Sequence, residues 1–102
     1  MERPDPDLVS EAIVLWLGFR IVPWPKRDES RVSERFGAEV ANDLLPAVRE
    51  LEDEFYESDA RHKAADVEVM GEQASAEFRA AYPNLSDDAV AALAWAYTFD
   101  FK

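Results

Sequence analysis

Apolar residues at Val32, Phe36, Val40, Leu44, Val48, Leu51 and Phe55 follow one another at intervals of 4, 4, 4, 4, 3 and 4. That spacing marks one face of an α-helix. It predicts a helix over residues 30–57, opened by a cap at Asp28 or Ser30. Pro46 stands inside it, where a proline deletes one backbone hydrogen bond and crowds the carbonyl four residues earlier. A kink over residues 42–45, or a restart capped by Asp43, is therefore expected near Pro46.

Three further helices follow from the same kind of reading. "DPDL" offers Asp5 as a cap and Pro6 at the first helical position, where its missing N–H costs nothing, and Gly18 can end the helix, giving residues 6–17. Its second half is apolar on every side, which implies a helix buried all round, with a short strand as the alternative. A third helix is predicted over residues 61–82, with Ala64, Val67, Met70, Ala74, Phe78 and Tyr82 as its stripe, and Gly71 on that side suggests close helix approach. Pro83 ends it. Ser86 then caps a fourth helix over residues 87–101, with Asp87 and Asp88 at its positive end. This helix has two apolar faces, one carrying Val90, Leu93 and Tyr97, the other Trp95 and Phe99. The second face requires a partner: a second copy in a homodimer or other homo-oligomer, the N-terminal helix, or a ligand.

Between the first two helices lies a connector over residues 18–29, with "VPWP" at its centre. Pro23 and Pro25 fix their own backbone angles and push Val22 and Trp24 toward extended geometry, so the connector is expected to be stiff. An exposed indole wastes burial, so Trp24 is expected to lie as a lid on the first helix, and its removal to cost about 3–5 kcal/mol. The alternative is a recognition surface built from Trp24, Lys26 and Arg27. Arg27, Arg31 and Arg35 recur every four residues and can pair with the chain's own carboxylates.

The pattern thus specifies an all-α fold: one compact domain over residues 1–102 with about four helices, as an orthogonal or up-down bundle, the second helix kinked near Pro46. A chain of 102 residues with 48% hydrophobic residues suits one core and lies outside the disordered regime. It contains no cysteine, which removes disulfides, zinc-thiolate sites and cysteine nucleophiles and makes the cytoplasm the expected location. The longest apolar run, "AIVLWLGF", is far shorter than the roughly 18–20 residues that span a bilayer. Four acids in the first 11 residues are unlike a signal peptide.

Charge narrows the function classes. A net charge of −11 repels nucleic-acid backbones and anionic lipids, so direct binding to either is disfavoured. The charge is also uneven. Residues 39–59 hold eight acids and one base, while residues 20–35 hold five bases and three acids. Such a field either steers a basic protein partner or serves solubility alone.

Candidate chemistry is sparse. His62 is the only histidine and sits among charged residues, so it is expected to be a solvated side chain rather than the base of a triad, and one histidine cannot supply the two Glu-x-x-His motifs of a di-iron bundle. Glu50, Asp53, Glu54 and Glu57 lie at helical i, i+3 and i+4 spacing, which can present carboxylates to a divalent cation. All-α nucleotide pyrophosphohydrolases use Glu-x-x-Glu on one helix and Glu-x-x-Asp on the next. Glu54-x-x-Glu57 fits the first half, but Glu68, Glu72 and Glu77 are followed three residues on by Gly71, Ser75 and Ala80. Three scattered glycines make no phosphate loop. The expectation is a small acidic helical interaction module, of the immunity, antitoxin or nucleic-acid-mimic kind, that inhibits a basic partner without catalytic residues, metal or cofactor. Its binding residues are Glu50, Asp53, Glu54, Glu57, Trp24, Lys26 and Arg27, with Trp95 and Phe99 at an oligomer interface. The alternative is a metal-assisted hydrolase working from the same carboxylates.

Overall fold

A computed structural model describes residues 4–101. Its helices are α1 (Pro6–Leu17), α2 (Glu29–Phe36), α3 (Ala38–Tyr56), the single turn α4 (Ala60–Lys63), α5 (Val67–Ala81) and α6 (Asp87–Phe101). Among the described residues there is no strand. Five helices of two turns or more replace the four predicted.

The ends of α1 and α6 fall where local chemistry places them. Asp5 accepts the Asp7 amide at 2.8 Å, and Gly18, at φ 81°, closes α1 in the left-handed region. A side chain at Gly18 is excluded twice, by that angle and by Val22, whose Cγ2 lies 2.6 Å from where a Cβ would sit. Ser86 caps α6 through its hydroxyl, which accepts the Ala89 amide at 3.1 Å.

The predicted second helix is broken, and not at Pro46. The break lies at Gly37, whose φ of 85° and ψ of 156° belong to a region essentially reserved for glycine. α3 runs through Pro46 without interruption. Pro46 and Asn42 are both exposed, so the carbonyl that the proline leaves without its helical donor lies on the side turned to water. The chain bends next at residues 57–59, after α3 has ended. The predicted third helix is also divided, because the Asp66 side chain captures the Val69 amide at 2.9 Å and starts α5 there. Val40 and Val67, placed on apolar stripes by their spacing, are exposed.

α6 packs against α5, α1 and α3, and α1 against α2, α3 and α6. On the second apolar face of α6, Trp95 rests 5.5 Å from the Phe19 ring, just past the end of α1, within the chain. Phe99 stays exposed. The core holds Ile13, Leu17, Leu44, Val48, Phe55, Leu93 and Tyr97, all nearly or fully buried. Gly71 permits the close approach of α5 to α6, since a Cβ there would meet Thr98 at 3.1 Å. The least dimension of the molecule is 18 Å, about two helix diameters. No described helix is long and apolar enough to cross a membrane.

Candidate functional site: the acidic face of α3

α3 is amphipathic in an unusual way. At 3.6 residues per turn, Glu39, Asp43, Glu50, Asp53, Glu54 and Glu57 fall within about 60° of one line along its surface. The opposite side carries the buried Ala41, Leu44, Leu45, Val48, Leu51 and Phe55. The acidic line is about 27 Å long from Glu39 to Glu57 at 1.5 Å per residue. Glu39, Asp43, Glu50, Asp53 and Glu57 are exposed, and Glu54 is half-buried, accepting a hydrogen bond from the Tyr82 hydroxyl.

None of these six carboxylates forms an ion pair with a described residue. The described arginines, and Lys63, are engaged elsewhere. Arg20 pairs with Asp88, Arg35 with Glu11, Arg49 with Glu29, Arg79 with Asp87, and Lys63 with Asp59. Arg31 and Arg61 cap helix ends: Arg31 donates to the carbonyls of Leu15 and Lys26 at 3.0 and 2.8 Å, and Arg61 to those of Tyr56 and Ser58 at 2.9 and 2.8 Å. The Asp59–Lys63 pair holds the Asp59 carboxyl below its usual range and the Lys63 ammonium above its own. Arg27, Arg31 and Arg35 thus serve this chain, as their spacing suggested, although Arg31 does so through carbonyls.

At the C-terminal end of α3, the tilted ring pairs Phe55–Phe78 (5.1 Å) and Phe78–Tyr82 (4.9 Å) lie at a groove of about 510 Å³. Glu54, Glu57, Asp59 and Glu77 edge it. α3 has no basic residue in its own last turn, so Asp53, Glu54 and Glu57 crowd the negative end of the helix dipole, where only Arg61 among the described residues reaches back to the Tyr56 carbonyl. Among the described residues, no group of three or more His, Asp or Glu side chains is placed to hold a metal ion, and His62 is exposed.

The three connector residues separate. Trp24 is no lid: its residue surface is 56% exposed, and Ile21 beside it is also exposed. The backbone explains this. The Lys26 amide donates to the Leu17 carbonyl and the Asp28 amide to that of Trp16, both at 3.0 Å, while the Val22 amide donates to the Gly18 carbonyl at 3.0 Å, so both ends of the connector are pinned to the end of α1 and Trp24 is left exposed between them. Lys26 is exposed and forms no ion pair with a described residue. Arg27 is held by α3 and α6. Its Nε donates to Glu52 at 2.7 Å, its Nη2 donates to the Tyr56 hydroxyl at 3.0 Å, and Asp100 lies 3.4 Å away. Burial alone would ease loss of the Arg27 proton, but the Glu52 carboxylate outweighs it and holds the guanidinium charged. Tyr56 donates to Asp100 at 2.6 Å, and burial followed by that bond pushes its phenol above the ordinary range.

Glu52 belongs to the acidic run of the sequence, yet it faces inward, taking Arg27 and the Trp16 indole N–H, the latter at 3.1 Å. Its place four residues after Val48, on the buried side of α3, is the sequence signal for this. Asp100 and Trp16 carry no such signal.

No protein-family model, curated protein or solved structure matches this chain.

Proposed function

We propose that the chain is a helical protein-interaction module whose α3 face binds a basic partner, in the manner of an immunity protein, an antitoxin or a nucleic-acid mimic. One observation carries this reading: six carboxylates line one side of α3 without a cation, while every described arginine is engaged elsewhere. Solubility needs dispersed charge of either sign, not a row of one sign 27 Å long. The row is also costly, because like charges at i, i+4 repel and acids at a helix C-terminus oppose its dipole. A basic partner removes both costs on binding.

A complementary field of this kind acts first on the encounter rate. The test uses the partner that co-purifies with the chain from the cells that produce it. Its association with the wild type and with the quadruple variant Glu50→Lys, Asp53→Lys, Glu54→Lys, Glu57→Lys is followed by surface plasmon resonance at low and high salt. The variant is expected to associate more slowly with little change in dissociation, and the wild-type affinity to fall with salt. A salt-independent affinity, or a variant that binds like the wild type, refutes the proposal.

A further inference from the structure

Beside the acidic face, α3, the start of α1 and the loop before α6 enclose a groove of about 370 Å³. Its walls are mostly apolar: Pro6 and Val9 from α1, Ala47 and Leu51 from α3, and Leu85 from the loop, with Tyr82 and Asn84 adding polar groups. Pro46 also borders it, and among the described residues no basic side chain lines it. Prolines bring no N–H donors, so Pro6 and Pro46 offer nothing to an anion or a peptide carbonyl. Among the described residues the charges on the wall are Asp43 and Glu50. They stand one helical turn before and one turn after Ala47, at i−4 and i+3. The volume lies at the small end of ligand sites, about 300–1,000 Å³, and suits one or two apolar side chains.

We infer that this groove is the anchor site for the basic partner, and that it takes a helical segment presenting one large apolar side chain with a Lys or Arg one turn to either side. The inference rests on the acidic face being the binding surface and adds what charge alone does not supply. The apolar side chain enters between Pro6, Leu51 and Leu85, and the flanking cations meet Asp43 and Glu50. A flexible polycation satisfies the carboxylates but leaves the apolar wall in water. Discrimination then comes from the anchor and the encounter rate from the charges. Helix-in-groove recognition uses this division of labour, with anchors at helical spacing.

Two synthetic Ala-rich helical peptides test it by fluorescence anisotropy. Each carries Lys at i−4 and i+3 around a central position that is Leu in one and Ala in the other. The Leu peptide is expected to bind the wild-type chain about 10-fold or more tightly, the order expected for one buried aliphatic side chain. Ala47→Phe fills the groove without altering charge. It is expected to abolish the advantage of Leu while leaving the Ala peptide unaffected. Circular dichroism confirms its fold, and Ala47→Met, whose flexible side chain fills the same space, replaces it if the phenylalanine variant unfolds. Equal, salt-sensitive binding of both peptides overturns the anchor site and leaves the acidic-face reading standing. An advantage for Leu that survives both filling variants overturns it equally. If neither peptide binds at low salt, the acidic-face reading falls as well.

Discussion

Removing charge from the α3 face should stabilise the protein. Five pairs of like charge stand one turn apart on that face: Glu39 with Asp43, Glu50 with Glu54, Asp53 with Glu57, Glu50 with Asp53, and Glu54 with Glu57. The double variant Glu50→Gln, Glu57→Gln removes four of the five and keeps side-chain shape and helix propensity nearly constant. At about 0.2–0.5 kcal/mol per pair the gain is about 0.8–2 kcal/mol. Relief at the negative end of the helix dipole adds to it through Glu57, the C-cap of α3. Unfolding entropy near 2.1 cal/mol/K per residue over 102 residues converts this to a rise in Tm of about 4–9 °C. Scanning calorimetry at low ionic strength measures it. In 1 M salt, where the screening length is about 3 Å, most of the gain should vanish. Glu68→Gln is the control of opposite sign, since Glu68 lies in the first turn of α5, where an acid is favourable. An unchanged or lowered Tm for the double variant at low salt, or a gain equal at both salts, refutes the view that the face carries uncompensated repulsion.

Three other outcomes follow from single side chains. Tyr97→Phe removes a buried hydroxyl that donates to the Ser58 carbonyl (2.8 Å) and accepts the Arg61 amide (3.0 Å), so it should cost about 1–3 kcal/mol and speed hydrogen exchange at Arg61; unaltered exchange would contradict this role. Trp24→Ala should cost about 1 kcal/mol or less because the indole is mostly exposed, and a loss near 3 kcal/mol in urea unfolding would reinstate the lid. Tyr56 has a folded-state pKa raised above its unfolded value near 10, so its contribution to stability is complete below about pH 10 and is lost as pH rises beyond it. The 295 nm titration difference between wild type and Tyr56→Phe should have its midpoint above 10, and a midpoint at 10 would remove burial and the Asp100 bond as causes.

The elements legible in the residues alone are those whose determinants act within one turn of chain. Asp5, Pro6 and Gly18 bound α1, and Ser86 with Pro83 bounds the start of α6, because a cap, a missing N–H or a left-handed glycine acts on its immediate neighbours. The acidic line of α3 is equally local, since helical spacing alone places those carboxylates on one side. Tertiary structure decided the rest. Gly37 is compatible with a helix interior or with a break, and the packing of α2 back against α3 selects the break. Pro46 reads as a kink until its freed carbonyl is known to face water. Trp24 and Arg27 stand three residues apart in one connector. One is left exposed and the other held because Glu52 and Asp100, 25 and 73 residues further along the chain, arrive beside Arg27. A pairing across that separation depends on where whole helices settle against the core, which no neighbouring residue encodes.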